Sequence, residues 1–164
     1  MDKELLKELN LQIRKELYSA YLYLSMASYL DYINLEGFSH WMKVQAKEEF
    51  GHAMRIYEFL NDRGERVIFE EIEKPPSDFS SPLDVFEKIL EHEKEVTKSI
   101  ENLYKLAKEK NDYSSEIMLQ WFINEQVEEE KQASVILEKI KKIEDKPHLI
   151  LMIDKELAKR GEEK

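Results

Sequence analysis

Residues 41–52 read Trp41-Met42-Lys43-Val44-Gln45-Ala46-Lys47-Glu48-Glu49-Phe50-Gly51-His52. The apolar residues of this stretch recur at the spacing of one helix face, which indicates an amphipathic helix packed on a core. Glu49 and His52 are three residues apart on the same face, so their side chains are neighbours. A carboxylate in a core costs several kcal/mol unless it is paired. A single acid of this kind is usually a boundary residue or a capped group. Glu49 therefore indicates a functional site only if the other helices also have polar residues on their core faces.

Long helices extend on both sides of this stretch. The 164 residues include only four Gly and four Pro, and the segments between them are rich in the good helix formers Leu, Glu, Lys, Ala and Met. Ser81-Pro82 is typical of a helix start, Gly64 of a helix stop, and Pro147 opens the last segment. We predict five helices, at about 3–34, 38–63, 82–110, 113–143 and 147–159.

The connections between these helices predict their topology. Only a few residues join the first helix to the second and the third to the fourth, so each pair forms an antiparallel hairpin. Residues 65–81, between the hairpins, are long enough when extended to run the length of a helix. We therefore predict an all-α fold, with an up-down-down-up four-helix bundle over about 3–143, one crossover and a short fifth helix. The whole of 1–164 is expected to form a single domain.

Polar residues interrupt the predicted core face of all four bundle helices. Glu16 lies in the stripe of the first helix, Glu93 in that of the third, and Gln126 and Glu129 in that of the fourth. Facing carboxylates repel one another unless cations lie between them, so we predict a divalent metal site in the core. Carboxylates with one imidazole suit iron or manganese better than metals that prefer thiolates. The predicted apolar stripe of the first helix consists of Leu9, Ile13, Leu17, Ala20, Leu24 and Ala27.

The same spacing occurs in both hairpins. Intervals of 33 and 36 residues lead from Glu16 to Glu49 and His52, and again from Glu93 to Gln126 and Glu129. Several apolar positions also agree at the resulting offset of 77 residues. Two-fold pseudo-symmetry would bring two half-sites face to face, so we predict two metal ions, one in each half.

Composition and charge restrict the possible partners. Asp and Glu number 35 against 25 Lys and Arg, which gives a net charge of −10, and the basic residues are scattered. This balance argues against nucleic acid as a partner. No long apolar run follows the start, so we expect neither a signal peptide nor a membrane span. A cytoplasmic location is the default expectation.

Four motifs along the chain are Glu16-Leu17-Tyr18-Ser19, Glu48-Glu49-Phe50-Gly51-His52, Gln120-Trp121-Phe122 and Glu125-Gln126-Val127-Glu128-Glu129-Glu130. With them the whole chain resembles the bacterial and archaeal non-haem ferritins. The resemblance implies a first iron site formed by Glu16, Glu49 and His52. It implies a second site formed by Glu49, Glu93 and Glu129, with Glu49 bridging and Gln126 nearby. A third, weaker iron site would consist of Glu48, Glu125, Glu128 and Glu129.

Two departures separate this chain from related di-iron bundles. Bacterioferritins and most bundle oxygenases carry a second E-x-x-H on the fourth helix, where this chain has Gln126 and Glu129. Phe50 follows Glu49 where bacterioferritin has its haem-ligating Met, so no haem is expected. Gln126 gives the second site one anionic ligand fewer than a Glu would, so we expect its iron to bind more weakly.

Tyr23 is a further candidate, seven residues after Glu16 on the same face. The ferritins that this chain resembles have a Tyr at this position, which implies that Tyr23 donates an electron during oxygen reduction. The alternative is that Tyr23 is a buried core residue whose hydroxyl is hydrogen-bonded to a ligand carboxylate. Three other histidines have no partner at ligand spacing and are interpreted as structural or surface residues: His40, His92 and His148. The remaining tyrosines of the first helix exceed what one stripe needs and indicate a self-association surface: Tyr18, Tyr21, Tyr29 and Tyr32.

The resemblance implies an iron-storage ferroxidase. Two Fe(II) ions would bind in the core, O2 or H2O2 would take their electrons, and Fe(III) would leave for a mineral inside a hollow cage. The fifth helix favours a 24-subunit cage over a 12-subunit one. Iron ions, the oxidant and identical subunits are then the partners.

Two other classes stay open. A soluble di-iron oxidoreductase, such as a rubrerythrin-type peroxidase, would turn over substrate without storing iron. It is disfavoured because the chain has no second E-x-x-H and no Cys. A purely structural bundle with solvated acids is disfavoured by the matched 33 and 36 spacings.

Overall fold

The computed structural model describes residues 1–162, and over these residues it contains helices and no strands. A short 3₁₀ turn, Pro147–Leu149, precedes the last of five α-helices: α1 (Lys3–Tyr32), α2 (Glu36–Asp62), α3 (Pro82–Glu109), α4 (Tyr113–Lys142) and α5 (Ile150–Leu157). The predicted all-α fold is confirmed, with most helix ends within two residues of the prediction. The last helix is shorter than predicted because Pro147 opens it as a 3₁₀ turn. Within residues 1–162, no helix combines the length and the hydrophobicity that a membrane-spanning segment requires.

Side-chain caps and one glycine mark the helix ends, and the sequence predicts those at Ser81 and Gly64. Ser81 Oγ accepts a hydrogen bond from the Asp84 amide at 3.0 Å, with Pro82 in the first turn of α3. Asp112 caps α4 in the same way through the Ser115 amide at 3.0 Å. Gly64 follows α2 with φ of 74°, a left-handed conformation that favours glycine. These groups satisfy backbone donors and acceptors that the helix itself leaves unpaired.

Contacts between the hairpins establish the up-down-down-up topology. Gln12 and Tyr23 of α1 contact Ser99 and Glu93 of α3, so residue numbers rise along one helix as they fall along the other. The same reversal relates α2 to α4. The crossover over 65–81 runs beside α1, where the Ile68 amide donates to Asn10 Oδ1 at 2.8 Å.

The apolar core is divided into two clusters by a polar belt. One cluster, which includes Leu9, Ile56 and Phe122, fills the end of the bundle where α1 begins. The other, which includes Met26 and Phe38, fills the opposite end and packs against α5. Between them each bundle helix contributes polar residues, so the belt lies at mid-height.

One predicted core position is wrong, because Leu24 is 52% exposed. The stripe of α1 continues instead through Tyr23, Met26 and Ala27, which are all buried. At about 100° per residue, Leu22, Tyr23, Met26 and Ala27 fall within one arc of the helix, and Leu24 lies outside that arc.

Helix α5 packs tightly against the start of α2. A Cβ atom on Gly37 would lie 1.7 Å from the Asp154 carbonyl oxygen, so only glycine allows this approach. Asp154 Oδ1 also accepts a hydrogen bond from the Phe38 amide at 2.9 Å. This packing determines where the chain after α5 lies relative to the bundle.

Candidate metal centre

The polar belt contains six side chains from all four bundle helices, each at most 5% exposed: Glu16, Glu49, His52, Glu93, Gln126 and Glu129. These are the residues that the 33 and 36 spacings select. Their side chains come together because each replaces an apolar residue at the same height on a core-facing stripe. The structure therefore places the predicted half-sites side by side in the core.

The first group consists of Glu16, Glu49 and His52. His52 Nδ1 lies 3.2 Å from Glu49 Oε2 and 3.8 Å from Glu16 Oε2. One ligand atom from each residue lies within 4.8 Å of the other two, a separation that one metal ion spans. Glu16 Oε2 is buried and has no hydrogen-bond partner within residues 1–162. A buried carboxylate oxygen without a hydrogen bond is costly, and a cation bound between the three residues would satisfy it.

The second group consists of Glu49, Glu93 and Glu129, with ligand atoms again within 4.8 Å of one another. Glu49 belongs to both groups, as a bridging carboxylate must. Gln126 Nε2 donates to Glu93 Oε2 at 3.1 Å and to the Glu93 carbonyl at 3.2 Å. In this arrangement the Gln126 amide nitrogen orients a carboxylate.

A third group joins His52, Glu125 and Glu129, with His52 Nε2 3.8 Å from Glu125 Oε1. It contains two of the four residues that the resemblance implies for a third site. Glu48 instead forms an ion pair with Arg160 at 3.0 Å, and Glu128 is exposed. Within residues 1–162, neither of them joins a metal-sized group.

Two glutamines support the acids and were not predicted as site residues. Gln12 Nε2 donates to Glu16 Oε1 at 2.9 Å. Gln45 Nε2 donates to Glu49 Oε1 at 2.9 Å and to Glu129 Oε2 at 2.6 Å. Each glutamine precedes its Glu by four residues, so a repeated Q-x-x-x-E pattern on the core face was the available signal.

Burial and mutual repulsion favour the neutral form of three of the acids. Burial raises the pKa of Glu49 well above its usual value, and the charges of Glu93 and Glu16 raise it further. Burial likewise raises the pKa of Glu93 to about 7 and that of Glu129 to about 8. The metal-free centre therefore retains protons on groups that would be ionised in water.

His52 and Glu16 have the opposite electrostatics. Burial alone would lower the pKa of His52, but the carboxyl groups of Glu16 and Glu49 raise it to about 11. Burial also opposes ionisation of Glu16, yet its interactions with His52 and Glu49 hold its pKa below the usual value. His52 would therefore have to lose a proton before its ring nitrogen could bind a metal in this group.

Tyr23 is buried, and its hydroxyl donates a hydrogen bond to Glu93 Oε1. The Tyr23 ring lies edge to face with His92, which is hydrogen-bonded to Ser19 Oγ at 2.7 Å.

His40 Nε2 lies 2.8 Å from the Arg160 carbonyl oxygen, and His148 is exposed. These two histidines and His92 lie outside the metal-sized groups found within residues 1–162.

An up-down-down-up bundle with two adjacent acid groups that share one Glu, and with one His, defines a class: the carboxylate-rich di-metal helix bundles. A family model described as a ferritin-like domain matches residues 6–143. The chain belongs to the ferritin family. Its function is iron storage with oxidation of Fe(II).

Relatives and solved structures agree with this assignment. The chain is 40% identical over 161 residues to a bacterial non-heme ferritin of Staphylococcus epidermidis, covering 98% of this chain and 97% of that one. It is 41% identical to the bacterial non-heme ferritin of Staphylococcus saprophyticus, covering 98% and 96%. An open-pore ferritin from the hyperthermophilic archaeon Archaeoglobus fulgidus superposes with a TM-score of 0.96 at 48% identity, covering 98% of each chain.

Proposed function

We propose that Fe(II), the substrate, is bound and oxidised in the polar belt, two ions per chain. Glu16, Glu49 and His52 hold the first ion, and Glu49, Glu93 and Glu129 hold the second. The observation that carries this assignment is the sharing of Glu49 by two metal-sized groups, beside a buried Glu16 oxygen that accepts no hydrogen bond within residues 1–162. A shared carboxylate keeps two ions at the short separation that joint oxygen chemistry requires.

The chain's own residues prepare the ions and manage protons. Each Fe(II) supplies one electron to O2 or H2O2. Carboxylates stabilise the extra positive charge of the oxidised ion, and His52 gives up its imidazolium proton when the first ion binds. Gln126 leaves the second site with one anionic ligand fewer, which suits a site from which iron departs to storage.

Tyr23 remains a proposed electron donor to the oxidant: the two Fe(II) ions of the belt, Tyr23 and one further Fe(II) would together supply the four electrons that reduce O2 to water. Its hydroxyl donates to Glu93 Oε1, a ligand of the second site in this proposal, so oxidation of the phenol can pass its proton to that carboxylate. The expected signature is a tyrosine radical in freeze-quenched reactions of the unaltered chain that is absent from those of Tyr23→Phe.

A third iron site at Glu48, Glu125, Glu128 and Glu129 would require Glu48 to break its ion pair with Arg160.

We also propose that identical chains form a hollow cage, with 24 subunits as the expected number, in the cytoplasm. Membership of the ferritin family and the likeness to an archaeal open-pore ferritin support the assembly. Large apolar side chains exposed on α1 and α5 support burial against other subunits: Tyr21, Leu24, Tyr32, Leu151 and Met152.

Aerobic iron loading tests storage directly. Excess Fe(II) is added to the metal-free protein, the sample is desalted, and the soluble iron retained per chain is counted. We expect retention many times the two ions per chain of the centre, with the initial oxidation lost in His52→Ala. His148→Ala is the matched control, because this exposed imidazole lies outside the centre. Retention that stops near two per chain would indicate a di-iron oxidoreductase without storage, and no retained iron would refute the metal centre.

A further inference from the structure

Arg160 follows α5 and lies against the bundle with its side chain only 13% exposed. Its guanidinium carbon lies 4.2 Å from the centroid of the Trp41 ring, and its Nη1 donates to the Trp41 carbonyl at 3.0 Å. A stacked and hydrogen-bonded guanidinium is held in one orientation. The close packing of α5 at Gly37 brings it to this position.

The other nitrogen of this guanidinium reaches Gln45. Arg160 Nη2 donates to Gln45 Oε1 at 2.8 Å. A guanidinium only donates hydrogen bonds, so the Gln45 amide must present its oxygen to Arg160 and turn its NH2 group the other way. That NH2 group donates to Glu49 Oε1 and Glu129 Oε2.

We infer that Arg160 is a positioning residue of the metal centre that acts through Gln45. The inference rests on the proposed function, since Glu49 and Glu129 are ligands only in that proposal. With Glu49 Oε1 held by the amide, Glu49 Oε2 faces His52 at 3.2 Å in the first group. With Glu129 Oε2 held likewise, the carboxylate has a single orientation toward the second ion. The turn after α5 is thereby coupled to the bridging ligand.

Gln12 shows the same device built from bundle residues alone. Its oxygen accepts a hydrogen bond from Ser99 Oγ at 2.7 Å, and Ser99 Oγ accepts one from Lys15 Nζ at 2.8 Å. Each glutamine is therefore held at its oxygen by a donor chain that contains a cation. Gln45 differs because its cation comes from the segment after α5.

Arg160 could also act through Glu48, since the same Nη2 lies 3.0 Å from Glu48 Oε2. A double-mutant cycle separates the two routes. If Arg160 acts through Gln45, its removal has no further effect once Gln45 is absent. If it acts through Glu48, the two losses multiply.

The cycle consists of Arg160→Ala, Gln45→Ala and the double variant, titrated as metal-free protein with Co(II) and followed by visible absorption. Removing an orienting partner of a metal ligand typically weakens metal binding 10–100-fold, so we expect about a tenfold loss in each single variant and no greater loss in the double variant. The initial rate of Fe(II) oxidation, relative to that of the unaltered chain, is expected to fall in each single variant and to fall no further in the double variant. Arg160→Lys keeps the positive charge but lacks the planar guanidinium with its several donor nitrogens. Its Co(II) affinity is expected to lie between those of Arg160→Ala and the unaltered chain.

Lys139→Ala is the matched control, because Lys139 also tethers α5, through Glu156 at 2.5 Å, but contacts no group of the centre. It is expected to bind Co(II) as the unaltered chain does. Losses that multiply in the double variant would overturn the inference, as would normal binding in Arg160→Ala or an equal loss in Lys139→Ala. If the unaltered chain bound no Co(II), both the proposed metal centre and this inference would be refuted.

Discussion

Glu49→Gln is expected to slow initial Fe(II) oxidation by more than about 100-fold, beyond the roughly 10–100-fold loss typical when a residue that orients a metal ligand is removed. The amide has the same shape as the carboxylate but supplies no negative charge to either ion. The same change is expected to stabilise the metal-free protein, because it removes a buried acid that faces Glu16 and Glu93. A gain of about 1 kcal/mol would raise the melting temperature by about 2–4 °C. Stopped-flow oxidation and thermal unfolding of the metal-free protein measure the two effects.

Glu58→Gln is the matched control, since Glu58 lies on the same helix and is exposed. It is expected to change neither the oxidation rate nor the melting temperature. A Glu49→Gln variant that still oxidised Fe(II) at the original rate would refute the bridging role. A variant that was inactive because it had unfolded would show a lower melting temperature instead of a higher one.

The metal-free protein is expected to lose stability as the pH rises from 5 to 8. Folding raises the pKa of Glu93 from 4.5 to about 7 and that of Glu129 from 4.5 to about 8. Between these limits the folded state binds more protons than the unfolded state, so the free energy of unfolding falls with rising pH. His52, raised from 6.5 to about 11, adds a loss of the same sign above pH 6.5. The decline from pH 5 to pH 8 is expected to be on the order of a few kcal/mol.

Zn(II) provides the contrast, because it binds the deprotonated ligands and is not oxidised. Thermal unfolding across this pH range with saturating Zn(II) is expected to show a flat or rising stability, as metal binding takes the place of the protons. Glu129→Gln is expected to flatten the slope of the metal-free protein. Stability of the metal-free protein that rose from pH 5 to pH 8 would contradict the proposed protonation of the centre.

Much of the fold and of the polar belt was predictable because both follow from periodicity. Helical spacing determines which residues share a face, so Glu16 and Glu93 could be placed in the core before any contact was known. The repeated intervals of 33 and 36 then placed Glu49 and Gln126 at the same height. Leu24 was wrongly predicted to be buried because a stripe with spacings of three and four residues can continue from Ala20 to either Tyr23 or Leu24.

The supporting contacts were not predictable in the same way. The Q-x-x-x-E spacing relates Gln45 to Glu49, but the contact of Gln45 with Glu129 of another helix follows from no local pattern. Arg160 reaches the bundle only through the docking of α5, which no local pattern specifies. The ion pair between Glu48 and Arg160 has the same origin, and so the predicted third site is not assembled as the resemblance implies.

Anomalous scattering at the iron absorption edge would locate bound iron in the polar belt. Crystals of the metal-free protein would be soaked anaerobically in Fe(II) and measured on both sides of the edge. We expect two strong peaks per chain in the polar belt, one bounded by Glu16, Glu49 and His52 and the other by Glu49, Glu93 and Glu129. A belt without peaks, with iron only at exposed acids, would contradict the shared-carboxylate centre.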